Sequence, residues 1–433
     1  MRARRAGTST AVMSTTLLLA AACGPSPGKE AEPARHTPVQ IAEAPARLPV
    51  PRGGGSRTPD DFNGDGHRDL VLNDLAKADA HADDAGIGIV YGSERGLTAG
   101  ARQLLSPRRQ AAPTKGRLPA VFDAEATCDL DKDGFTDLVV STDPPFDGQG
   151  RPPVPLQLLF GSPEGLTGKA VKLAVPDAAR AGNDWPDQPV CGDFDGDGTK
   201  DLVVHASGGR LSFLRGPFSR KGGPRAAGAP VQAPGNAPTG PSADVDGDGY
   251  DDLVVRTAQG AGRSALVLGG PNGPTRTAVV LPHGIDVALG AFGRGEDGLD
   301  AAVGTMGETS LRYDLPAAAV RGTLDVPGSV LDAADFDGDG LSELVSSGSR
   351  IRVFRGREGG LTAAGVVTVR PPARGTTRVV SVGDFDGDGR DELVVRTYSD
   401  ETKDTVAVYP GVKKQLVATE PSVSFSTSGF RTP

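Results

Sequence analysis

Asp384-Phe385-Asp386-Gly387-Asp388-Gly389-Arg390-Asp391-Glu392, followed by Leu393-Val394-Val395, is the last of seven occurrences of one pattern. Oxygen donors stand at positions 1, 3 and 5, a glycine at 6 and a carboxylate at 9. Alternate residues of a tight loop can all point inward, and the glycine permits a turn that a side chain would obstruct. Calcium takes six to eight oxygens at about 2.3–2.6 Å. Position 7 can add its backbone carbonyl. The pattern therefore reads as a loop wrapped around a hard cation.

The other copies give the same ligand set by position. The first has Asp61, Asn63, Asp65 and Asp69, with His67 at position 7. The second has Asp129, Asp131, Asp133 and Asp137, with Phe135. The third has Asp193, Asp195, Asp197 and Asp201, with Thr199, and the fourth has Asp244, Asp246, Asp248 and Asp252, with Tyr250. The sixth has Asp335, Asp337, Asp339 and Glu343, with Leu341. The seventh has Asp384, Asp386, Asp388 and Glu392, with Arg390. The fifth copy, Ala291 to Asp300, has Ala291 and Gly293 where the first two acids should be, and Arg294 adds a positive charge. It reads as a repeat without metal, leaving about six calcium ions of structural kind.

First-ligand positions fall at 61, 129, 193, 244, 291, 335 and 384. A period of this length marks stacked supersecondary units. An EF-hand would need a Glu at position 12 and flanking helices, but position 12 here is Leu72, Val140, Val204, Val255, Ser346 or Val395. Each loop is followed by an apolar β-branched run. A second run ending in glycine comes later, as in Ile89-Val90-Tyr91-Gly92, Leu266-Val267-Leu268-Gly269 and Val406 to Gly411. These are short strands with turn punctuation. In the last repeat, strands are expected at Val379–Val382, Leu393–Thr397 and Thr405–Tyr409, and then at Leu416–Ala418 or Ser422–Ser426. Four strands in each of seven repeats predict an all-β fold, a seven-bladed β-propeller with calcium-binding loops in most blades. The apolar residue at loop position 2 (Phe62, Leu130, Phe194, Val245, Phe292, Phe336, Phe385) points away from the ligands and is expected in the core.

The loops, together with the Gly-Leu-Thr segments at 96–98, 165–167 and 360–362, resemble the FG-GAP (VCBS) repeat of the integrin α-subunit head. The resemblance covers about residues 57–430. It implies a seven-bladed propeller carrying calcium in the hairpin between the first two strands of a blade.

Three segments are expected. Residues 1–23 form a signal peptide: Arg2, Arg4 and Arg5 precede an apolar stretch, 11–22, too short to span a bilayer. Leu19-Ala20-Ala21-Ala22-Cys23-Gly24 resembles a bacterial lipobox, making Cys23 the lipidated residue and the membrane a partner through its anchor. Cleavage after Ala22 to a secreted protein is the alternative. Residues 24–56, rich in Pro, Gly, Ala and Glu, are a tether. Residues 57–433 are the propeller, and a monomer is expected. The net charge is −9, and 23 of the 55 acids are proposed ligands. Six bound Ca²⁺ would bring the charge to about +3, so the acidity belongs to the metal sites. No basic stripe suggests nucleic acid.

Cys128 and Cys191 flank consecutive loops, and either a disulfide between blades or two small buried thiols fits them. No catalytic residue is assigned. The five histidines, His36, His67, His81, His205 and His283, do not pair by spacing with other ligands. The Gly-x-Ser-x-Gly match at 24–28 falls in the tether, away from any strand-to-helix turn. The expected role is non-enzymatic binding or adhesion at the cell surface, to an extracellular protein or glycan. The alternative is an extracytoplasmic hydrolase or lyase with its site on one face. Long insertions at 74–86, 143–155 and 178–189 are the candidate binding loops. The last holds the only tryptophan, Trp185, which could meet a ligand or pack between blades.

Overall fold

A computed structural model describes residues 46–75, 86–143, 154–258, 262–293, 298–399 and 404–430. Cys23, most of the tether, His81 and its insertion, the centre of the 143–155 insertion, and residues 294–297 of the fifth loop lie outside them.

Seven antiparallel blade sheets succeed one another among the described residues, and Gly411–Val412 pairs with Leu416–Val417 in a separate two-stranded sheet. Blade 2 consists of Val121–Cys128, Asp137–Asp143, Gln157–Leu159 and Val171–Lys172. Blade 4 consists of Ala237–Ala243, Asp252–Arg256, Arg263–Leu268 and Arg276–His283, and blade 5 of Asp286–Gly290, Asp300–Gly304, Thr309–Tyr313 and Val320–Leu324. Blade 6 consists of Val330–Ala334, Glu343–Ser347, Ile351–Phe354 and Val367–Val369. Blade 7 consists of Thr376–Gly383, Glu392–Tyr398, Thr405–Tyr409 and Val423–Ser426, so the later of the two expected segments supplies its fourth strand. In blade 3, Val190–Gly192, Asp201–His205 and Arg210–Arg215 are completed by two short pieces, Ala226–Ala227 and Val231–Gln232, which share one neighbour. The longest described α-helix is one turn, Pro107–Gln110.

The apolar triplet after each loop is buried because alternate residues face opposite neighbours. Leu138 and Val140 pack with Ile87, Ile89 and Tyr91 of blade 1, while Val139 packs with Leu202 and Val204 of blade 3. Leu393 and Val395 face blade 6, and Val394 faces blade 1. All seven position-2 residues are fully buried. Phe385 lies with Leu70, Leu72 and Val90, so blade 7 closes onto blade 1. Arg68 Nη1 donates to the Val382 carbonyl (2.9 Å) and Arg102 Nε to that of Gly429 (2.9 Å) across the same junction.

Blade 1 differs from the expected four strands. It has three among the described residues, Leu70–Leu72, Ile87–Val90 and Arg102–Leu105, and none precedes its loop. Residues 51–56 instead cross the first two acidic loops: the N–H groups of Gly53 and Gly55 donate to Asn63 and Gly64, and that of Ser56 to Gly134. The tight φ of +99° at Gly55 and its approach to Gly134 suit a residue without Cβ. A cavity of about 360 Å³ takes the place of the missing strand, walled by Val71, Ala124, Glu125, Val380 and Arg396.

Candidate metal centres

Six acidic loops join the first two strands of their blades and the first leads into Leu70–Leu72 of blade 1, so all seven lie on one face. The strands fix their two ends and the glycines set the turns: Gly196 and Gly198, for example, have φ of +70° and +75°.

The first-position acid folds the loop around itself. Asp384 Oδ1 accepts the N–H groups of Gly387 and Asp388, and Oδ2 that of Gly389. Asp244 and Asp335 repeat this with their own loops. The fifth-position acid accepts the N–H of position 7 at 2.9–3.1 Å in all six intact loops. These are Asx-type turns, in which a short side chain replaces a backbone partner.

The ninth-position acid is a brace. One oxygen accepts the N–H of position 2; the other accepts an N–H just beyond the third strand. Asp137 takes Leu130 and Gly161, Asp201 takes Phe194 and Gly216, Asp252 takes Val245 and Gly269, and Glu343 takes Phe336 and Gly356. The fifth loop, which lost its first two ligands, keeps this acid: Asp300 takes Phe292 and Asp314. The brace explains the glycine that ends the third strand, since it must pass beside the position-8 carbonyl. A Cβ at Gly269 would lie 2.5 Å from the Asp251 oxygen, and one at Gly161 2.4 Å from that of Thr136.

Position 8 ties neighbouring loops together. The Asp335 N–H donates to Asp391 Oδ2 (2.7 Å), and the Asp391 N–H to the Asp335 carbonyl (2.9 Å). Asp193 and Asp251 form the same reciprocal pair, and Ala291 with Ser342 forms it through a hydroxyl. Sequence reasoning missed this role; an Asp or Ser at position 8 was its only signal.

These loops fit a hard cation. In five of them three acids bring one oxygen each within 4.8 Å of one another: Asp129, Asp131, Asp137; Asp193, Asp195, Asp197; Asp244, Asp246, Asp248; Asp335, Asp337, Asp339; and Asp384, Asp386, Glu392. Oδ1 of Asp131, Asp195, Asp246 and Asp337 is buried with no hydrogen-bond partner. A buried carboxylate oxygen left so costs several kcal/mol, roughly, unless a cation meets it. Burial pushes the Asp137, Glu343 and Glu392 carboxyls up to about 8 and Asp201 to about 7. The backbone N–H donors on these acids oppose that shift by favouring the ionised form, which a divalent cation would favour further. Arginines offset some of the charge: Arg220 Nε is 2.7 Å from Asp131, Arg215 Nε is 3.3 Å from Asp195, and Arg355 pairs with Asp337. In the first loop, Asn63 Nδ2 donates to Asp65 (3.0 Å) and to the Pro51 carbonyl, and Ser56 Oγ donates to Asp61 (2.6 Å).

Cys128 and Cys191 form a disulfide, Cα–Cα 6.5 Å, between the first strands of blades 2 and 3. Trp185 is half-buried, and its loop is pinned: its N–H donates to Asn183 Oδ1, Asn183 Nδ2 to the His205 carbonyl, and His205 Nδ1 lies 2.8 Å from Asp187.

The FG-GAP-like repeat model matches residues 331–395 and the FG-GAP repeat model residues 236–267, over the sixth-to-seventh and fourth blades. No curated protein matches the chain. Among solved structures, rhamnogalacturonan lyase YesW is similar at 16% identity over 88% of this chain and 75% of that one, TM-score 0.42. The Dos1 propeller is similar at 12% over 87% and 88%, TM-score 0.45. A protein from Lactobacillus plantarum is similar at 14% over 83% and 99%, TM-score 0.40. Likeness at this level carries no function. The chain thus carries FG-GAP repeats at 236–267 and 331–395 within a seven-bladed β-propeller fold.

Proposed function

We propose that this chain is a calcium-stabilised, non-enzymatic propeller that binds a protein or glycan outside the cell, held at the membrane through Cys23. Calcium acts as a structural staple in each intact loop, since the acids close on their own loop and on the next one. The observation that supports recognition lies on the opposite face, where first strands begin and second strands end. Met306 is 74% exposed there, and Ile285, Val330, Leu118 and Tyr398 are exposed around the same turns. Exposed apolar side chains grouped on one face favour a binding surface. Surface proteins and glycans should be captured by the purified chain in calcium, and Met306→Asp with Tyr398→Asp should reduce the yield. Capture unaffected by that pair would place recognition elsewhere. Release of a Cys23→Ser variant into the medium tests the anchor.

The hydrolase or lyase reading has one observation in its favour, the cavity in blade 1, which gathers Asp60, Asp69, Asp74, Glu125 and Arg396. Most of these are committed elsewhere. Asp60 pairs with Arg68 (2.8 Å), Asp69 braces Phe62 and Gly92, and Arg396 pairs with Asp404 (2.7 Å). Binding is therefore the better reading.

A further inference from the structure

We propose that a groove between blades 6 and 7, on the face opposite the acidic loops, binds an acidic glycan by its sugar carboxylates, through Arg350 and Arg374. This rests on the recognition reading and names its ligand class.

The charge pattern points there first. The whole chain is −9, yet residues 350–378 hold seven arginines and one acid, Glu358. Some arginines stand on carboxylates, as Arg68 on Asp60, Arg215 on Asp195 and Arg396 on Asp404, and within this segment Arg355 pairs with Asp337. Arg350 and Arg374 are exposed, and no ion pair engages either among the described residues. Their backbones are held instead: the Gly348 N–H donates to the Arg350 carbonyl, and Ser399 Oγ to that of Arg374. The turns hold the two backbones at the groove, and both side chains are exposed.

The groove has a volume of about 490 Å³, within the roughly 300–1,000 Å³ usual for ligand sites. Besides the two arginines it is lined by Ser349, Thr376, Thr377 and Pro371, and by no carboxylate among the described residues. A guanidinium binds a carboxylate through two parallel hydrogen bonds, a fit that a lysine cannot copy. The remaining polar groups are hydroxyls, which donate and accept as sugar hydroxyls do. The Tyr398 backbone carbonyl closes against Gly375, where a Cβ would lie 2.3 Å from it.

The test is binding of oligosaccharides containing glucuronate, guluronate or galacturonate to the full chain in saturating calcium. Each is compared with its methyl ester and with a hexaglutamate peptide. At least one free acid should bind at least tenfold more tightly than its ester, with affinity falling as salt rises. Arg350→Ala with Arg374→Ala should remove that preference while leaving the melting temperature unchanged. Equal binding of acid and ester, an unaffected double variant, or stronger binding of hexaglutamate would each overturn the proposal. If surface capture persists in any of these cases, recognition stands and only the acidic groove fails. If capture is absent too, both fail.

Discussion

Asp391 and Asp335 hold each other across two blades: the Asp335 N–H donates to Asp391 Oδ2, and the Asp391 N–H returns to the Asp335 carbonyl. The first-position acid of the sixth loop is therefore tied to the residue that precedes the ninth-position acid, Glu392, of the seventh. The equivalent Asp251 also receives Lys200 Nζ at 3.0 Å. Asp251→Ala strands the Asp193 N–H and should cost about 1–3 kcal/mol in calcium. Asp251→Ser should restore much of it, because Ser342 makes the same contact to Ala291. Denaturant unfolding of both variants checks the order; equal loss in both would contradict the pairing.

Gly269→Ala should be destabilising by about 1–3 kcal/mol, the usual range for overpacking. Its Cβ would meet the Asp251 oxygen at 2.5 Å and the Phe194 oxygen at 3.0 Å, both backbone. Gly228→Ala, which meets nothing within 4 Å, is the control and should leave the midpoint in place.

The metal-free chain should lose stability as pH rises. Burial raises Glu343 and Glu392 to about 8 and Asp252 to about 6. A carboxyl whose folded pKa is raised favours the protonated folded state, so its contribution is complete below the unfolded value near 4.5 and disappears as pH passes 8. Calcium requires the ionised acids and should flatten this slope. Melting in chelator from pH 5 to 8.5, beside the same series in calcium, measures the difference; parallel curves would refute it.

Replacing Cys128 and Cys191 by serine removes a link across 63 residues. Chain entropy gives that link up to about 4 kcal/mol. Unfolding should shift to lower denaturant, with blades 2 and 3 losing hydrogen-exchange protection first. Unchanged protection there would argue against the bridge.

The acidic loops made blade number legible because each keeps its donors at alternate positions. The triplets after them marked the second strands, and Thr405–Tyr409 is a strand over that full span. That blade 1 has no strand before its loop among the described residues was not legible, because residues 51–56 give up sheet pairing to cross two loops, and their Gly and Pro read the same either way. The brace at position 9 was hidden for another reason. An acid that accepts two backbone N–H groups looks in sequence like an acid that binds metal, and only Asp300, kept in a loop without the other ligands, separates the roles. Nor could spacing show that Arg350 and Arg374 share a groove, since turns of two different blades bring them there.

The measurement that bears most directly on the metal centres is calorimetric melting of the full chain with its metal content determined in the same samples. One calcium per intact loop and a marked fall in melting temperature on chelation are the expected result. A chain shown to be free of metal that melts at the same temperature as the calcium-loaded one would contradict the account.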